Sequence, residues 1–328
     1  MNERAPTLSE VAEHAGVSLA TASRALNGST RTVNPELRER VLASAVALGY
    51  SANLQAQAVA RGTSNVVALV VGDIADPYFA AIASGVVRVA DERGLVVTIS
   101  ATGPYVGDAS VEREKSALTA LRGQRPRAVV LASSRVVGAP TSELPSRRVA
   151  VIGGGASEFA TIDVDNRGGA AALATELRAL GYRDFAILAG PEELVTVRDR
   201  VEGFRSVVPS SSVIHAEFSR EGAERATADL LASGERPECI FAVSDVMALG
   251  VMAALRKAGI APGTEIAVAG FDDIPLVADV TPALTSVALP LADIGARALD
   301  LALSGHTDAS ASTAAAAQVR LRASTPRR

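Results

Sequence analysis

Two hydrophobic periodicities divide the chain. Through about residue 50 the apolar positions recur every three to four residues, and from Val66 they gather into short unbroken runs between amphipathic stretches. The first pattern predicts helices. The second predicts strands buried on both faces, alternating with helices. Thr7 and Glu10 have capping-box spacing, so a helix is expected from Leu8, with Val11, Ala12 and Ala15 on one apolar face. Gly16 can take the left-handed backbone that ends it, and Val17 closes over the small core. Ser18 is the next N-cap, followed by a helix over Leu19 to Leu26. Its Ala22, Ala25 and Leu26 face inward, and its Leu19, Ala20, Ser23 and Arg24 face outward. Asn34-Pro35-Glu36 opens a third helix that runs to Gly49, with Tyr50 completing the core.

Two helices meeting at a glycine turn make a helix-turn-helix, whose second helix can enter a DNA major groove. Arg24 can donate two hydrogen bonds to a guanine edge, and Leu19 and Ala20 can touch a thymine methyl. Thr7, Ser18, Thr21, Ser23 and Asn27 supply short polar groups for phosphates. A helical hairpin inside an ordinary bundle is the competing reading of the same residues. A further short run of helix formers, Asn53 to Ala60, precedes a joint at Arg61-Gly62-Thr63-Ser64-Asn65.

Beyond the joint, strands are predicted at Val66 to Val71, Leu95 to Ser100, Ala128 to Ala132 and Arg148 to Ile152. Helices near Pro77 to Arg93 and Ser110 to Arg122 alternate with them. After Asp165-Asn166 the cycle restarts, with strands at Asp184 to Ala189, Ser212 to Glu217, Cys239 to Val243 and Ile266 to Gly270. Two runs of β-α units imply two doubly wound lobes of parallel sheet. Ligands of such sheets sit beyond the carboxyl ends of the strands, so the facing lobes should form a cleft. One more helix, Leu291 to Leu303, and a strand, Val319 to Arg322, should return to the first lobe and then the second, and Thr307 to Ala317 reads as a loop.

Composition narrows the function classes. The net charge is −4, and through Arg61 six arginines meet five glutamates, so affinity for DNA would have to come from arginines gathered on one face and from dimerisation. The single cysteine, Cys239, excludes an internal disulfide and a Cys-rich metal site. No apolar run is long enough to span a bilayer and no export signal follows Met1, so a cytoplasmic protein is expected. The three histidines, His14, His215 and His306, stand beside no credible nucleophile, which argues against an enzyme and implies no cofactor.

The order and spacing of the residues from Thr7 to Asn27, through "VAEHAGVSLATASRALNG", resemble the DNA-binding headpiece of the lactose-repressor (LacI/GalR) family of bacterial transcription regulators. The resemblance continues over most of the chain. It implies a three-helix helix-turn-helix headpiece over 1–52, a hinge helix and linker over 53–65, and a two-lobed periplasmic-binding-protein-like core over 66–328. The first lobe is expected at 66–163 with 289–305, the second at 164–288 with 310–328.

The resemblance also implies that Asn53 to Ala60 folds as a hinge helix when two subunits pair on DNA, with Asn53 and Val59 at the minor groove. Val59 stands where the family has a wedging leucine, and Gln57-Ala58 replaces the more frequent Arg-Ser. Thr7, Leu8, Ser18, Leu19, Ala20, Thr21, Ser23, Arg24 and Asn27 complete the expected DNA contacts. In the core, Asp73 to Phe79 resembles the family's Asn/Asp-Pro-Phe-Phe loop, whose aromatics stack on the ligand. Thr196 to Phe204 matches its Arg-x-Arg-x-x-Gly-Phe segment, with Arg198 as the ligand arginine and Arg200 paired to an acid. Gly270-Phe271-Asp272-Asp273-Ile274-Pro275 matches a further family segment.

The implied effector contacts are therefore Asp76, Tyr78, Phe79, Arg198, Phe241, Ser244 and Asp272. Gly153-Gly154-Gly155 stands where the family often carries Asp-Arg, and Ser244 where it carries an amide. The expected function is that of a homodimeric repressor whose grip on a palindromic operator in double-stranded DNA is set by a sugar or related metabolite in the cleft. A solute-binding protein without DNA activity is the alternative.

Overall fold

The computed structural model describes residues 6–27, 33–51, 64–103, 107–132, 148–153, 159–305 and 316–328, and falls into two compact units, Met1–Ser64 and Asn65–Arg328. In the first unit, α1 (Leu8–His14), α2 (Leu19–Asn27) and α3 (Pro35–Ala47) enclose a core of Val11, Ala12, Ala15, Ala22, Ala25, Val41 and Ala45. Small side chains let these short helices approach closely. Leu8, Val17, Leu26 and Tyr50 pack around the edge of that core.

The second unit holds two sheets. The first runs β2-β1-β3-β4-β5, built from β1 (Val66–Val71), β2 (Val96–Ala101), β3 (Ala128–Ala132), β4 (Val149–Ile152) and β5 (Ala160–Ile162), all parallel. Its apolar runs are continuous because both faces are covered. Val67, Leu69 and Val71 of β1 point into one core, and Ala68 and Val70 point into another with Leu118 and Leu121. Helix α4 (Pro77–Glu92) lies on the first face, and α5 (Gly107–Gln124) supplies the two leucines on the second.

The second sheet runs β11-β10-β9-β8-β6-β7. Its strands β6 (Phe185–Ala189), β7 (Ser212–His215), β8 (Cys239–Ala242), β9 (Ala267–Asp272) and β10 (Thr285–Ala288) are parallel, and β11 (Gln318–Arg320) is antiparallel to β10. Helices α6 (Asn166–Ala179) and α7 (Val195–Val207) pack as a pair, as do α8 (Arg220–Ala232) and α9 (Asp245–Lys257). Helix α10 (Leu291–Ser304) follows a second-sheet strand but packs on α4 and on β3, β4 and β5. The chain thus passes between the sheets after β5, after β10 and again before β11.

Three elements differ from the sequence expectation. Strand β5 is only three residues long, too short for a periodicity to register. Residues Thr285–Ala288, outside every strand expected from the sequence, form β10. Pro275–Ala278 is a 3-10 turn. Helix boundaries elsewhere fall within a few residues of those read from the caps.

Candidate functional site

In the first unit the N-terminus of α1 is a complete capping box. The Thr7 hydroxyl accepts from the Glu10 amide at 3.4 Å, and the Glu10 carboxylate accepts from the Thr7 amide at 2.6 Å and from its hydroxyl at 2.9 Å. The Thr7 side chain therefore serves its own helix. Leu8 is half-buried and packs against the edge of the core.

Gly16 has φ +62°, and Arg40 donates to the Ala15 carbonyl beside it, which ties the turn to α3. The Ser18 hydroxyl accepts from the Thr21 amide at 3.1 Å and caps α2. On the outer side of α2, Leu19 is 52% exposed and Ala20 is exposed. Arg24 Nε donates to the Ala20 carbonyl one turn back at 3.0 Å, which lays the guanidinium along the helix surface. Asn53 and Val59, the side chain of Asn27, and Gly154-Gly155 lie outside the described residues.

The second unit brings residues of both sheets to one cavity, lined by Tyr78, Phe79, Ala132, Ile152, Gly153, Val164, Asn166, Thr196 and Arg200. Ala132 and Ile152 end β3 and β4, so the cavity lies at the carboxyl ends of the first sheet, where α/β folds place ligands. Asp76 caps α4, its Oδ1 accepting from the Tyr78 amide at 2.9 Å, with Pro77 as the first helical residue. This cap aims Tyr78 and Phe79, whose rings meet edge to face at 5.1 Å.

Opposite them stands Arg200, almost fully buried. Its Nε donates to Asn166 Oδ1 at 2.9 Å, one Nη to the Val243 carbonyl at 2.6 Å and the other to Asp272 Oδ1 at 2.8 Å. The guanidinium also lies 3.9 Å from the centre of the Phe271 ring. A buried charge is stable only when its donors are met, and here three acceptors and an aromatic face meet it. A guanidinium carries five N–H donors, so this fork keeps donors for a ligand after those three bonds are made.

The two arginines of α7 have different surroundings. Arg200 is buried, paired with Asp272 as expected, and lines the cavity, whereas Arg198 is exposed and stands outside that lining. Residues two apart on a helix point to nearly opposite sides. Val197, Arg200 and Phe204 are all buried on the inward face of α7. That three-then-four spacing was the signal in the sequence that could have singled out Arg200. Asn166 was also missed as a site residue.

Phe241 is a second correction. It is fully buried and stacks on Phe204 at 4.8 Å, because alternate β8 side chains face α7, and it serves the core. Ser244 is buried as well and spends its hydroxyl accepting from the Met247 amide at 3.3 Å as the N-cap of α9. The carboxylate of Asp245 takes a different task, accepting from the Ile274 amide at 2.9 Å and from the Ser286 hydroxyl at 2.6 Å. These two bonds hold the turn after β9 in place. There Asp272 and Asp273 adopt φ +109° and +54°, unusual for residues with a side chain. Asp273 is bound by Arg322 at 2.6 Å.

The carboxylates around Arg200 share a raised affinity for protons. Burial pushes Asp272 up to about 7 against the pull of Arg200. Burial also pushes Asp76 up to about 6, with the Tyr78 amide opposing it and Asp73 adding to it. Asp245 is raised by burial first and by Asp272 second. Among the described residues, no group of three or more His, Cys, Asp or Glu side chains could hold a metal, and no helix is long and apolar enough to cross a membrane.

Residues 7–53 match "Bacterial regulatory proteins, lacI family" and residues 174–325 match "Periplasmic binding protein-like domain". The chain is 32% identical over 294 residues to the ribose operon repressor of Halalkalibacterium halodurans, covering 88% of this chain and 87% of that one. It is 31% identical over 310 residues to the transcriptional regulator GalS of Salmonella typhimurium, covering 91% and 89%. Among solved structures, a lac repressor dimer bound to operator and an anti-inducer superposes with a TM-score of 0.82 at 24% identity, over 98% of this chain and 100% of that one. A CelR–cellobiose complex superposes with a TM-score of 0.67 at 27% identity, over 97% and 99%. On the match of its first unit and its likeness over most of its length to these regulators, the chain belongs to the lacI family of bacterial regulatory proteins.

Proposed function

We propose that this regulator is a cytoplasmic homodimeric repressor of transcription that binds a palindromic operator and responds to a sugar-class effector held between its two lobes. The observation that carries the reading is Arg200. A guanidinium this deeply buried, braced on three sides by groups of the second lobe, opens toward aromatic residues of the first. A forked donor beside a half-buried tyrosine suits the hydroxyls and flat faces of a sugar. A relative named for the ribose operon and a relative's structure solved with cellobiose support that ligand class. The exposed outer side of α2 supports the DNA role. The protein works by binding rather than by turnover: ligand preference for one arrangement of the lobes sets the affinity for DNA by the same factor that DNA sets the affinity for ligand.

The test is fluorescence anisotropy of the full-length protein on fragments from its own promoter region, across a salt series, with and without pentoses, hexoses and disaccharides. Binding should weaken steeply with salt and should change at least fivefold with one of the sugars. A protein that retains no promoter fragment at low salt, yet takes up a sugar, would instead be a solute-binding protein.

A further inference from the structure

Where β9 ends, two successive residues hold a backbone that favours glycine, Asp272 with φ +109° and Asp273 with φ +54°. A side chain in that region costs free energy that glycine avoids, so this turn must be held from outside. Its backbone is held by the second sheet: the Asp273 amide donates to the Ser286 hydroxyl at 3.1 Å, and the Ile274 amide donates to Asp245, itself fully buried. Its side chains are held by two arginines, one each. The Asp272 carboxylate accepts from Arg200 at 2.8 Å, and the Asp273 carboxylate accepts from Arg322 at 2.6 Å. Arg200 lines the cavity, and Arg322 does not. Arg322 lies two residues beyond β11, the strand formed after the chain's third passage between the sheets. Its Nη1 also donates to the Leu284 carbonyl at 2.7 Å, and its amide donates to the Thr285 hydroxyl at 2.8 Å. The side chains of Arg322 and Asp273 are only 21% and 17% exposed, so water screens the pair weakly.

We infer that Arg322 is a positioning residue of the effector site: from beyond the edge strand of the second sheet it sets the left-handed turn that aims Asp272 at Arg200. The inference rests on the effector-site reading above and extends it to a residue outside the cavity. The chain keeps two charged side chains where glycine would relieve the backbone, and each serves one arginine. A shift of Arg322 draws Asp273 with it, and the peptide between the two aspartates carries the shift to Asp272. Charge-assisted bonds hold only over a narrow range of distance and angle, so the guanidinium of Arg200 then loses one of its three fixed acceptors. The last crossing is thereby felt at the cavity, and a ligand held by Arg200 favours one place of that crossing over others.

Two measurements on the full-length protein test the claim. The first is titration calorimetry well below the melting temperature, with D-ribose, D-galactose, D-glucose and cellobiose as probes. Arg322→Met keeps the apolar stem and removes the fork. It should weaken whichever of these sugars the wild type binds by about fivefold or more. Arg322→Lys restores a cation and should recover part of that loss. The control is Arg328→Met. Arg328 braces the same tail through Glu238 at 2.6 Å and the Tyr182 ring at 5.3 Å, at the amino end of β8, whereas the turn lies at the carboxyl end of β9. That variant should lower the Tm and leave sugar affinity at the wild-type value. Wild-type affinity in Arg322→Met, or an equal loss in Arg328→Met, overturns the inference and leaves the effector site standing. No binding of any probe by the wild type overturns the sugar-effector reading instead.

The second measurement needs no ligand and compares Tm values in a double-variant cycle of Arg322→Met with Arg200→Met. Residues that act through one turn lose the same interaction only once, so the double variant should lower the Tm by clearly less than the two single losses together. Arg328→Met with Arg200→Met should be additive. If Arg200→Met does not fold, Asp272→Asn takes its place, since asparagine tolerates the left-handed backbone and lacks the charge. Additive losses in the Arg322 cycle break the link between the two arginines and overturn the inference.

Discussion

At the scale of single residues, direction on a helix or strand outweighs chemical type. Two arginines two positions apart on α7 have opposite fates, because 100° per residue turns one to solvent and the other to the cavity. Arg200→Ala leaves Asp272 buried beside Asn166 with no cation, and should destabilise the protein by roughly 3 kcal/mol while abolishing any sugar-induced rise in Tm. Arg198→Ala should leave the Tm of the free protein within error, because the side chain is exposed, and thermal melts with sugar will tell whether that variant loses the ligand-induced rise. Phe241 follows the same logic in a strand. Phe241→Ala should cost about 3 to 5 kcal/mol in denaturant melts, from the lost stack on Phe204 and the cavity left behind. The variant should keep its ligand preference, since the ring never reaches the cleft.

At the scale of elements, α4 and α10 pack backbone to backbone, because a glycine of each faces the main chain of the other. A Cβ at Gly295 would lie 2.1 Å from the Ile82 carbonyl oxygen, and one at Gly85 would lie 1.7 Å from that of Ala292. Gly295→Ala should therefore destabilise by about 2 kcal/mol through forced separation of the helices, and the double change with Gly85→Ala should be worse than either alone. Differential scanning calorimetry would record it as a lower Tm for the core. The C-terminal segment is a second element held by design rather than by apolar mass. Ser324 accepts from the Thr285 amide and donates to the Val268 carbonyl, Thr325 bonds Thr285, and Tyr182 donates to the Pro326 carbonyl. None of this was legible in a tail read as one strand and a few polar residues, because the partners lie more than 35 positions away.

At the scale of the whole molecule, the near-neutral headpiece has a consequence for binding. With few cations to place on phosphates, the slope of log affinity against log salt should be shallower than for a strongly basic headpiece of the same size. Arg24→Ala should cost about 1 to 3 kcal/mol of operator binding and leave sugar binding untouched. Anisotropy for DNA and calorimetry for sugar would show both. Linkage then requires symmetry: if a sugar changes operator affinity by some factor, operator must change sugar affinity by that same factor.

The sequence alone determined what depends on neighbours along the chain. Caps at Thr7, Ser18, Asn34 and Asp76 fixed where helices begin, and unbroken apolar runs fixed which strands are buried on both faces. The two-part organisation and the family followed from that local order. Tertiary structure decided what depends on residues far apart in the chain. It buried Arg200 and left Arg198 exposed, took Phe241 into the core, and set Ser244 to capping. It also joined Asn166, Val243 and Asp272 around one guanidinium. The reason is physical: periodicity tells which side of an element is inward, but only packing tells which inward side chains meet a cavity and which meet one another.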